Sequence, residues 1–282
     1  MIKSDFPNVS VIIPVYNRFE MAKEAVSSVL GQTYRDFEVI IVDDGSIDMT
    51  EALAVYFKDD RRVKYIKLKH SGMPGFVRNK GVEISIGKYL AFLDSDDLWV
   101  DSKLDKQVKY LENNISYRVV HTREAWIRSG KTISQSGFNH KRFGNVFSDA
   151  LIKCIIGPST VLLEKNLYEE LGGFRDDLEI AEDYELWLRL TNSNTVGYIN
   201  DALITKRAGH IGQLSEKYGQ IEIFRIQGLH NLVEQSFFNL ENQQLAEKEL
   251  AKKCKIYAAG CRKRNKTEEA EIHESLAAKY SK

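Results

Sequence analysis

Short runs rich in β-branched residues alternate with longer segments of helical spacing over the first hundred residues, and this alternation restricts the fold more than any other feature. The runs cover residues 9–15, 37–43, 63–68 and 88–94. The first three are almost continuously apolar, as expected for strands whose two faces are both covered. We therefore expect an α/β fold, with a mixed, mostly parallel sheet flanked by helices.

The segments between these runs have the spacing of amphipathic helices. Five apolar residues fall on one face of the first segment: Ala22, Ala25, Val26, Val29 and Leu30. Asn17 is predicted to cap that helix, and residues 98–111 are predicted to form another one. After about residue 215 the strand signal disappears, and apolar residues recur at three- and four-residue spacing. The expected organisation is a domain at residues 1–215 and a C-terminal helical region at residues 216–282.

The composition excludes several classes of protein. Forty basic residues balance forty acidic ones, so no net charge draws the chain to nucleic acid or to an anionic membrane. Its three cysteines are too few and too scattered for a disulfide framework, which indicates a reducing compartment. The chain has neither an apolar run of the roughly 20 residues that cross a bilayer nor the apolar region of a signal peptide. We expect a cytoplasmic protein.

Carboxylates cluster at Asp94, Asp96 and Asp97, directly after the apolar residues 89–92. Open α/β sheets bind ligands at the C-terminal ends of their strands. Neighbouring carboxylates repel one another unless a cation lies between them, and Mn²⁺ or Mg²⁺ in that position also binds diphosphate oxygens. The cluster therefore predicts a divalent metal site. The alternative is an acidic surface turn in which Asp97 caps the following helix.

A second acidic pair, Asp43 and Asp44, ends the run at residues 37–43, and Tyr16 follows the first run. The ends of neighbouring parallel strands lie side by side, so these residues and the Asp94 cluster are expected to line one crevice. A nucleobase would stack on the tyrosine ring there. The alternative for the acidic pair is ordinary turn chemistry, because Asp-Gly-Ser is a common turn composition.

Five segments occur in the order and spacing of a known enzyme family: residues 9–17 (VSVIIPVYN), 42–46 (VDDGS), 78–81 (RNKG), 92–97 (FLDSDD) and 182–183 (ED). They resemble the signature of glycosyltransferase family 2, over about residues 9–215. The resemblance implies a GT-A fold and a nucleotide-diphosphate sugar donor, with a UDP-sugar as the first expectation. It also implies inversion at the anomeric carbon.

The same resemblance implies roles at the nucleotide. Pro14, Tyr16 and Asp43 are expected around the nucleoside, with Asp43 accepting a hydrogen bond from the base. Asp94 corresponds to the family residue at the ribose. Arg78 begins a segment that lies over the nucleotide in relatives, and a guanidinium beside a diphosphate is physically reasonable. The alternative for Arg78 is an exposed helix arginine.

The remaining roles concern the metal, the diphosphate and the acceptor. The resemblance implies that Asp96 ligates the metal and that Asp183 is the general base, although Glu182 is an alternative base. His210 is a further candidate metal ligand and Arg207 a candidate phosphate contact, because they lie where relatives carry an Arg or His segment. A surface or core role is the alternative for His210.

The predicted function is inverting transfer of a sugar to an acceptor hydroxyl in surface polysaccharide or glycolipid synthesis. The acceptor is expected to be a carbohydrate or a lipid-linked saccharide. Homodimer formation and peripheral contact with the inner face of the membrane remain open for the C-terminal region. Two alternatives also remain open. One is a nucleotidyltransferase, although residues 15–20 contain no glycine-rich phosphate loop. The other is a non-catalytic module that binds a nucleotide sugar.

Overall fold

The computed structural model describes residues 7–128, 130–133, 140–210, 213 and 221–281. The strands are β1 (Val9–Val15), β2 (Phe37–Asp43), β3 (Val63–Lys67), β4 (Tyr89–Phe92), β5 (Leu98–Trp99), β6 (Val119–Arg128), β7 (Lys131–Ile133), β8 (Leu162–Glu164) and β9 (Gly197–Ala208). The helices are α1 (Phe19–Leu30), α2 (Ala52–Tyr56), α3 (Pro74–Glu83), α4 (Lys103–Asn113), α5 (Phe147–Ile152), α6 (Lys165–Glu170), α7 (Glu182–Ser193), α8 (Ile221–Glu234), α9 (Leu240–Lys263) and α10 (Thr267–Lys279).

The strands form one mixed sheet in the order β3-β2-β1-β4-β8-β6-β9-β5, with β7 paired to β6. The first four strands of this order are parallel, β8 is antiparallel to both of its neighbours, and β9 is parallel to β6. The expected α/β class with a mixed sheet is confirmed. Because β1, β2 and β4 are parallel, their carboxyl ends meet at one edge of the sheet.

Two local predictions at helix starts are wrong. Asn17 does not cap α1, because the capping position belongs to Arg18. Asn17 has a left-handed backbone (φ 47°), and its side chain accepts a hydrogen bond from the backbone N–H of Ile47 at 2.9 Å. Residues 98–111 do not form one helix either. Their first two residues form β5, which pairs with β9, and α4 begins only at Lys103.

Successive residues of the parallel strands face two separate cores. Ile12 belongs to a core that includes α3, α5 and α7, whereas Val11 belongs to a core that includes α1 and α4. Gly81 of α3 lies so close to β1 that an added Cβ would stand 2.5 Å from Ile12 Cγ2. This close approach positions α3, which carries Arg78, directly against the central strands.

The C-terminal helices pack on the α7 side of the sheet. Apolar residues of α8 and α9 join the core that contains α7, and α10 packs on α9. Within the described residues, no helix combines the length and the apolar character that spanning a membrane requires. The predicted boundary at residues 215 and 216 lies outside the described residues, so the division into two domains stays a prediction.

Candidate active site

Polar and aromatic side chains converge where β1, β2 and β4 end. Val15 pairs with Asp43 across β1 and β2, so Tyr16 follows its strand beside Asp43. Strand β4 lies parallel on the other side of β1, and Asp94 follows it. The sheet topology therefore brings together the three segments that the sequence predicted to line one crevice.

Tyr16 presents its ring at this edge. The ring is 38% exposed and stacks on His70, with centroids 4.1 Å apart and an angle of 15° between the planes. His70 Nδ1 lies 2.9 Å from Asp44 Oδ2. Asp44 also accepts the backbone N–H groups of Ser71 and Gly72 at 2.8 and 2.9 Å. Asp44 thereby holds the loop after β3, and the loop presents His70 to Tyr16.

Asp43 is fully buried beneath this edge. Its Oδ1 accepts the backbone N–H of Ser46 at 2.8 Å, and its Oδ2 accepts the hydroxyl of Tyr65 at 2.5 Å. Burial raises the pKa of Tyr65, and the hydrogen bond to Asp43 raises it further, so the phenol keeps its proton. Pro14 is half-buried on β1. The nucleoside contacts predicted for Pro14 and Asp43 stay predictions.

Ser159 anchors the loop that follows β4 and contains residues 94–97, called the acidic loop below. Its Oγ accepts the backbone N–H of Asp94 at 3.1 Å and donates to Asp97 Oδ2 at 2.6 Å. Burial raises the pKa of Asp97 to about 7, because the nearby Lys206 ammonium only partly offsets burial and the repulsion from Asp94. Asp97 therefore stabilises the loop through a buried hydrogen bond, and it does not cap an exposed helix.

Arg78 joins the acidic loop to the start of α7. This buried guanidinium donates from Nη2 to Asp94 Oδ1 at 2.6 Å and from Nη1 to Glu182 Oε1 at 2.5 Å. Burial opposes ionisation of Asp94, but the attraction to Arg78 outweighs it and lowers the pKa of that carboxyl. Burial dominates at Glu182 and raises its pKa to about 7, against the attraction to Arg78. Arg78 is not an exposed helix arginine. Its predicted contact with the nucleotide stays a prediction, since protein carboxylates bind both Nη groups.

Asp96 lies between two basic side chains. Arg18 Nη1 and His210 Nε2 are each 2.9 Å from Asp96 Oδ2. A carboxylate oxygen and an imidazole nitrogen suit Mn²⁺, and the guanidinium of Arg18 shows that this position attracts positive charge. Across the described part of the chain, no three side chains of His, Cys, Asp or Glu converge as a metal site. The residues thus fit an ion that takes its other ligands from a diphosphate and water. The metal roles of Asp96 and His210 stay predictions.

Arg207 crosses from the end of β9 to α1. It donates from Nε to the carbonyl oxygen of Asp96 at 2.5 Å and from Nη2 to that of Met21 at 3.3 Å, and it pairs with Glu24. These bonds hold β9 against the acidic loop. They also place the guanidinium beside Asp96, where the predicted phosphate contact stays a prediction.

Asp183 lies in the first turn of α7. Ala181, directly before the helix, has a left-handed backbone (φ 66°), a conformation that costs non-glycine residues on the order of 1 kcal/mol. Asp183 Oδ1 accepts the backbone N–H of Tyr184 at 2.7 Å, and Oδ2 lies 3.4 Å from Cys154 Sγ. The buried Tyr184 hydroxyl donates to a backbone carbonyl of α5 at 2.7 Å. The rigid start of α7 thereby fixes a half-buried carboxylate, whereas Glu182 beside it is only 5% exposed.

Lys206 is a functional candidate that the sequence did not indicate. Its Nζ lies 3.8 Å from Asp97 Oδ2. Burial lowers the pKa of this lysine, but Asp97, Glu124, Asp94 and Asp183 outweigh burial and raise it, so Lys206 stays a cation. The parallel pairing of β9 with β6 brings it into the site. No local pattern reports such a long-range pairing.

A mixed α/β sheet with an acidic loop at the carboxyl end of a central strand is typical of the GT-A class of fold. Solved structures support this class. The chain is similar to S. aureus TarS in complex with UDP, with a TM-score of 0.66 and 21% identity over 89% of this chain and 72% of that one. It is also similar to the mannosyltransferase PcManGT from Pyrobaculum calidifontis in complex with GDP-Man and Mn²⁺, with a TM-score of 0.65 and 18% identity over 98% of this chain and 87% of that one.

The sequence profile described as Glycosyl transferase family 2 matches residues 10–172, which is more than half of the chain. The chain belongs to glycosyltransferase family 2, and the predicted resemblance is confirmed.

Two curated relatives illustrate the match. An uncharacterised glycosyltransferase of Rickettsia conorii is 40% identical over 195 residues, which are 69% of this chain and 32% of that protein. The E. coli protein WfgD is 32% identical over 205 residues, which are 71% of this chain and 76% of WfgD. The match therefore covers about a third of the length of the rickettsial relative.

Proposed function

We propose that the chain is a metal-dependent, inverting glycosyltransferase that moves a sugar from UDP to a hydroxyl of a saccharide acceptor in surface polysaccharide synthesis. WfgD is named a UDP-Glc:alpha-D-GlcNAc-diphosphoundecaprenol beta-1,3-glucosyltransferase. A Bacillus subtilis relative with 33% identity, TuaG, is named for teichuronic acid biosynthesis. These names support a UDP-sugar donor and an acceptor that is itself a saccharide.

The two hydrogen bonds of Arg78 carry this proposal. Arg78 binds Asp94 of the acidic loop at 2.6 Å and Glu182 at 2.5 Å, and Glu182 is the neighbour of Asp183 in sequence. One buried guanidinium therefore sets the spacing between the loop proposed for the donor and the carboxylate proposed for the acceptor. A fixed relation of this kind favours transfer between two substrates, because it holds the reacting groups in one geometry.

The donor would lie along the sheet edge from Tyr16 to Arg207. The base stacks on the exposed ring of Tyr16, and the ribose reaches Asp94. The guanidiniums of Arg18 and Arg207 lie beside Asp96 and oppose the negative charge of a diphosphate. Asp96 and His210 would hold Mn²⁺ or Mg²⁺, and the bound ion would neutralise charge on the departing diphosphate.

The acceptor would be activated by Asp183. A sugar hydroxyl is a poor nucleophile at neutral pH, and transfer with inversion needs a positioned base on the face opposite the leaving group. Asp183 Oδ2 has a weak thiol donor as its neighbour, Cys154 at 3.4 Å, and so keeps capacity to accept a proton. Glu182 suits this role less well, because it is buried and bound to Arg78.

Thermal stability with nucleotides tests the donor half of the proposal. A ligand that binds only the folded chain at 100 times its Kd adds about 2.7 kcal/mol of apparent stability. We expect UDP with Mn²⁺ to raise the Tm more than GDP or ADP does, and more than UDP does in a chelator. Asp96→Asn should lose the part of the Tm increase that depends on Mn²⁺, whereas Glu179→Gln, at an exposed site, should keep that part. An unchanged Tm with every nucleotide would contradict the proposal.

A further inference from the structure

Glu124 and Trp126 of β6 and Lys206 of β9 form a cluster that the proposed donor site does not use. Alternate residues of a strand point to one face, so the first two share a face. Trp126 pairs with Lys206 across β6 and β9, which directs the lysine to that face as well. Lys206 Nζ lies 5.5 Å from the centroid of the indole and 3.8 Å from Asp97 Oδ2. The cluster therefore adjoins the acidic loop.

Hydrogen bonding fixes the indole. Trp126 Nε1 donates to Glu124 Oε1 at 2.8 Å. Of the three tryptophans of the chain, Trp99 and Trp187 are buried in the cores at 5% and 1% exposure, whereas Trp126 is half-buried. Its ring is therefore oriented by a carboxylate and still accessible, which differs from the packing of a core tryptophan.

Gly157 leaves space for this cluster. Its backbone (φ −85°, ψ 143°) is open to any residue, so backbone conformation does not explain the glycine. An added Cβ would stand 3.2 Å from Lys206 Nζ and 3.3 Å from Glu124 Oε2. A side chain at position 157 would thus crowd the two charged groups, and the glycine leaves room beside them.

We propose that Glu124, Trp126 and Lys206 form a subsite for the pyranose ring of the acceptor. The indole face packs against the weakly positive C–H face of the sugar, and the carboxylate and ammonium bind its hydroxyls. Cys154 Sγ lies 3.4 Å from Asp183 Oδ2 and 3.2 Å from the carbonyl oxygen of Ile156, the residue before Gly157. The cluster lies on the side of the proposed base. The inference rests on the proposed function, since it assigns the acceptor to that reaction.

Binding of octyl glycosides tests the subsite. The full chain is titrated with the octyl glycosides of glucose, N-acetylglucosamine, galactose and mannose, with and without UDP and Mn²⁺, and saturation-transfer NMR reports the contact. We expect at least one glycoside to bind through its ring protons. Trp126→Ala should weaken that binding about tenfold with UDP affinity unchanged, whereas Trp126→Phe should keep most of it. Tyr56→Ala removes an aromatic ring that is 60% exposed on α2 and should change nothing.

The outcomes separate the two proposals. The subsite would be overturned if the chain bound UDP but no glycoside, or if Trp126→Ala bound the glycoside as tightly as the native chain does. Either result would leave the proposed function standing. Loss of UDP affinity in Trp126→Ala would assign the indole to the donor and would also overturn the inference. If glycoside binding depends on Trp126 but the chain has no affinity for UDP, the result would contradict the proposed function and not the subsite.

Discussion

Two adjacent carboxylates at the start of α7 occupy different environments. Glu182 is buried and bound by Arg78, whereas Asp183 is half-buried with a thiol neighbour. Burial raises the pKa of Glu182 to about 7 from an ordinary value of 4.5. Folding therefore favours its protonated form. The contribution of Glu182 to stability is fully present below about pH 4.5 and is lost as the pH rises towards 7.

Glu182→Gln should remove this pH dependence. The amide oxygen still accepts from Arg78, but it carries no charge to bury. We expect the free energy of unfolding of the variant, relative to the native chain, to rise between pH 4.5 and 7 by at most about 3 kcal/mol. Urea unfolding at several pH values measures it. The exposed Glu179→Gln should parallel the native chain, and a Glu182→Gln curve that also parallels it would contradict the raised pKa.

The candidate residues could be predicted only in part. Tyr16, Asp43 and Asp94 follow apolar strands, so the sequence places them at one sheet edge. The roles of Asp96 and Asp183 came from the family resemblance. Ser159 and Lys206 carry no local pattern, because long-range packing and strand pairing bring them to the acidic loop.

At the scale of elements, the packing of α3 on β1 decides where Arg78 lies. Gly81→Ala would place a Cβ 2.5 Å from Ile12 Cγ2 and 3.0 Å from Val42 Cγ2, and both of these side chains are fully buried. We expect this overpacking to cost roughly 1–3 kcal/mol in the free energy of unfolding.

A second glycine provides the control. An added Cβ at Gly228 of α8 would meet Glu185 Cβ at an ordinary 3.5 Å, so Gly228→Ala should be neutral or should stabilise the helix by up to about 1 kcal/mol. Denaturant unfolding compares the two variants. Equal stabilities would show that α3 is free to move away from β1.

Elements with a clear hydrophobic period have bounds that the sequence predicts. Strands β1 and β2 match their predicted bounds, because almost every residue is apolar and buried. The sequence does not predict strand β5, because a two-residue strand has no period of its own and its pairing with β9 determines it. The predicted N-terminus of α1 is wrong because Asn17 adopts a left-handed turn conformation and not a capping one.

For the whole molecule, the C-terminal helices differ in how they contribute to the core. Four residues of α8 are at most 3% exposed and join the core that contains α7: Ile226, Leu229, Leu232 and Val233. Helix α10 packs mainly on α9. We propose that the parts of the chain before and after the predicted boundary near residue 215 unfold together in one cooperative transition.

Two truncations distinguish these helices. A chain that ends at Lys266, and so lacks α10, should still unfold cooperatively and bind UDP. A chain that ends at residue 220 exposes the α7 side of the core and should lose its cooperative transition. Circular dichroism on heating, with and without UDP and Mn²⁺, measures both. A folded, UDP-binding fragment of residues 1–220 would instead establish a separable domain.

The stereochemical course of transfer by the native chain and by Asp183→Asn tests the central claim most directly. Proton NMR follows the anomeric signals of a UDP-sugar with Mn²⁺ and a saccharide acceptor. We expect the native chain to turn an α-linked donor into a β-linked product. Asp183→Asn keeps the size of the side chain but removes the base, so its rate should fall roughly 10²–10⁴-fold with UDP affinity unchanged. A product that retains the α configuration, or an Asn variant within a few-fold of the native rate, would contradict this account.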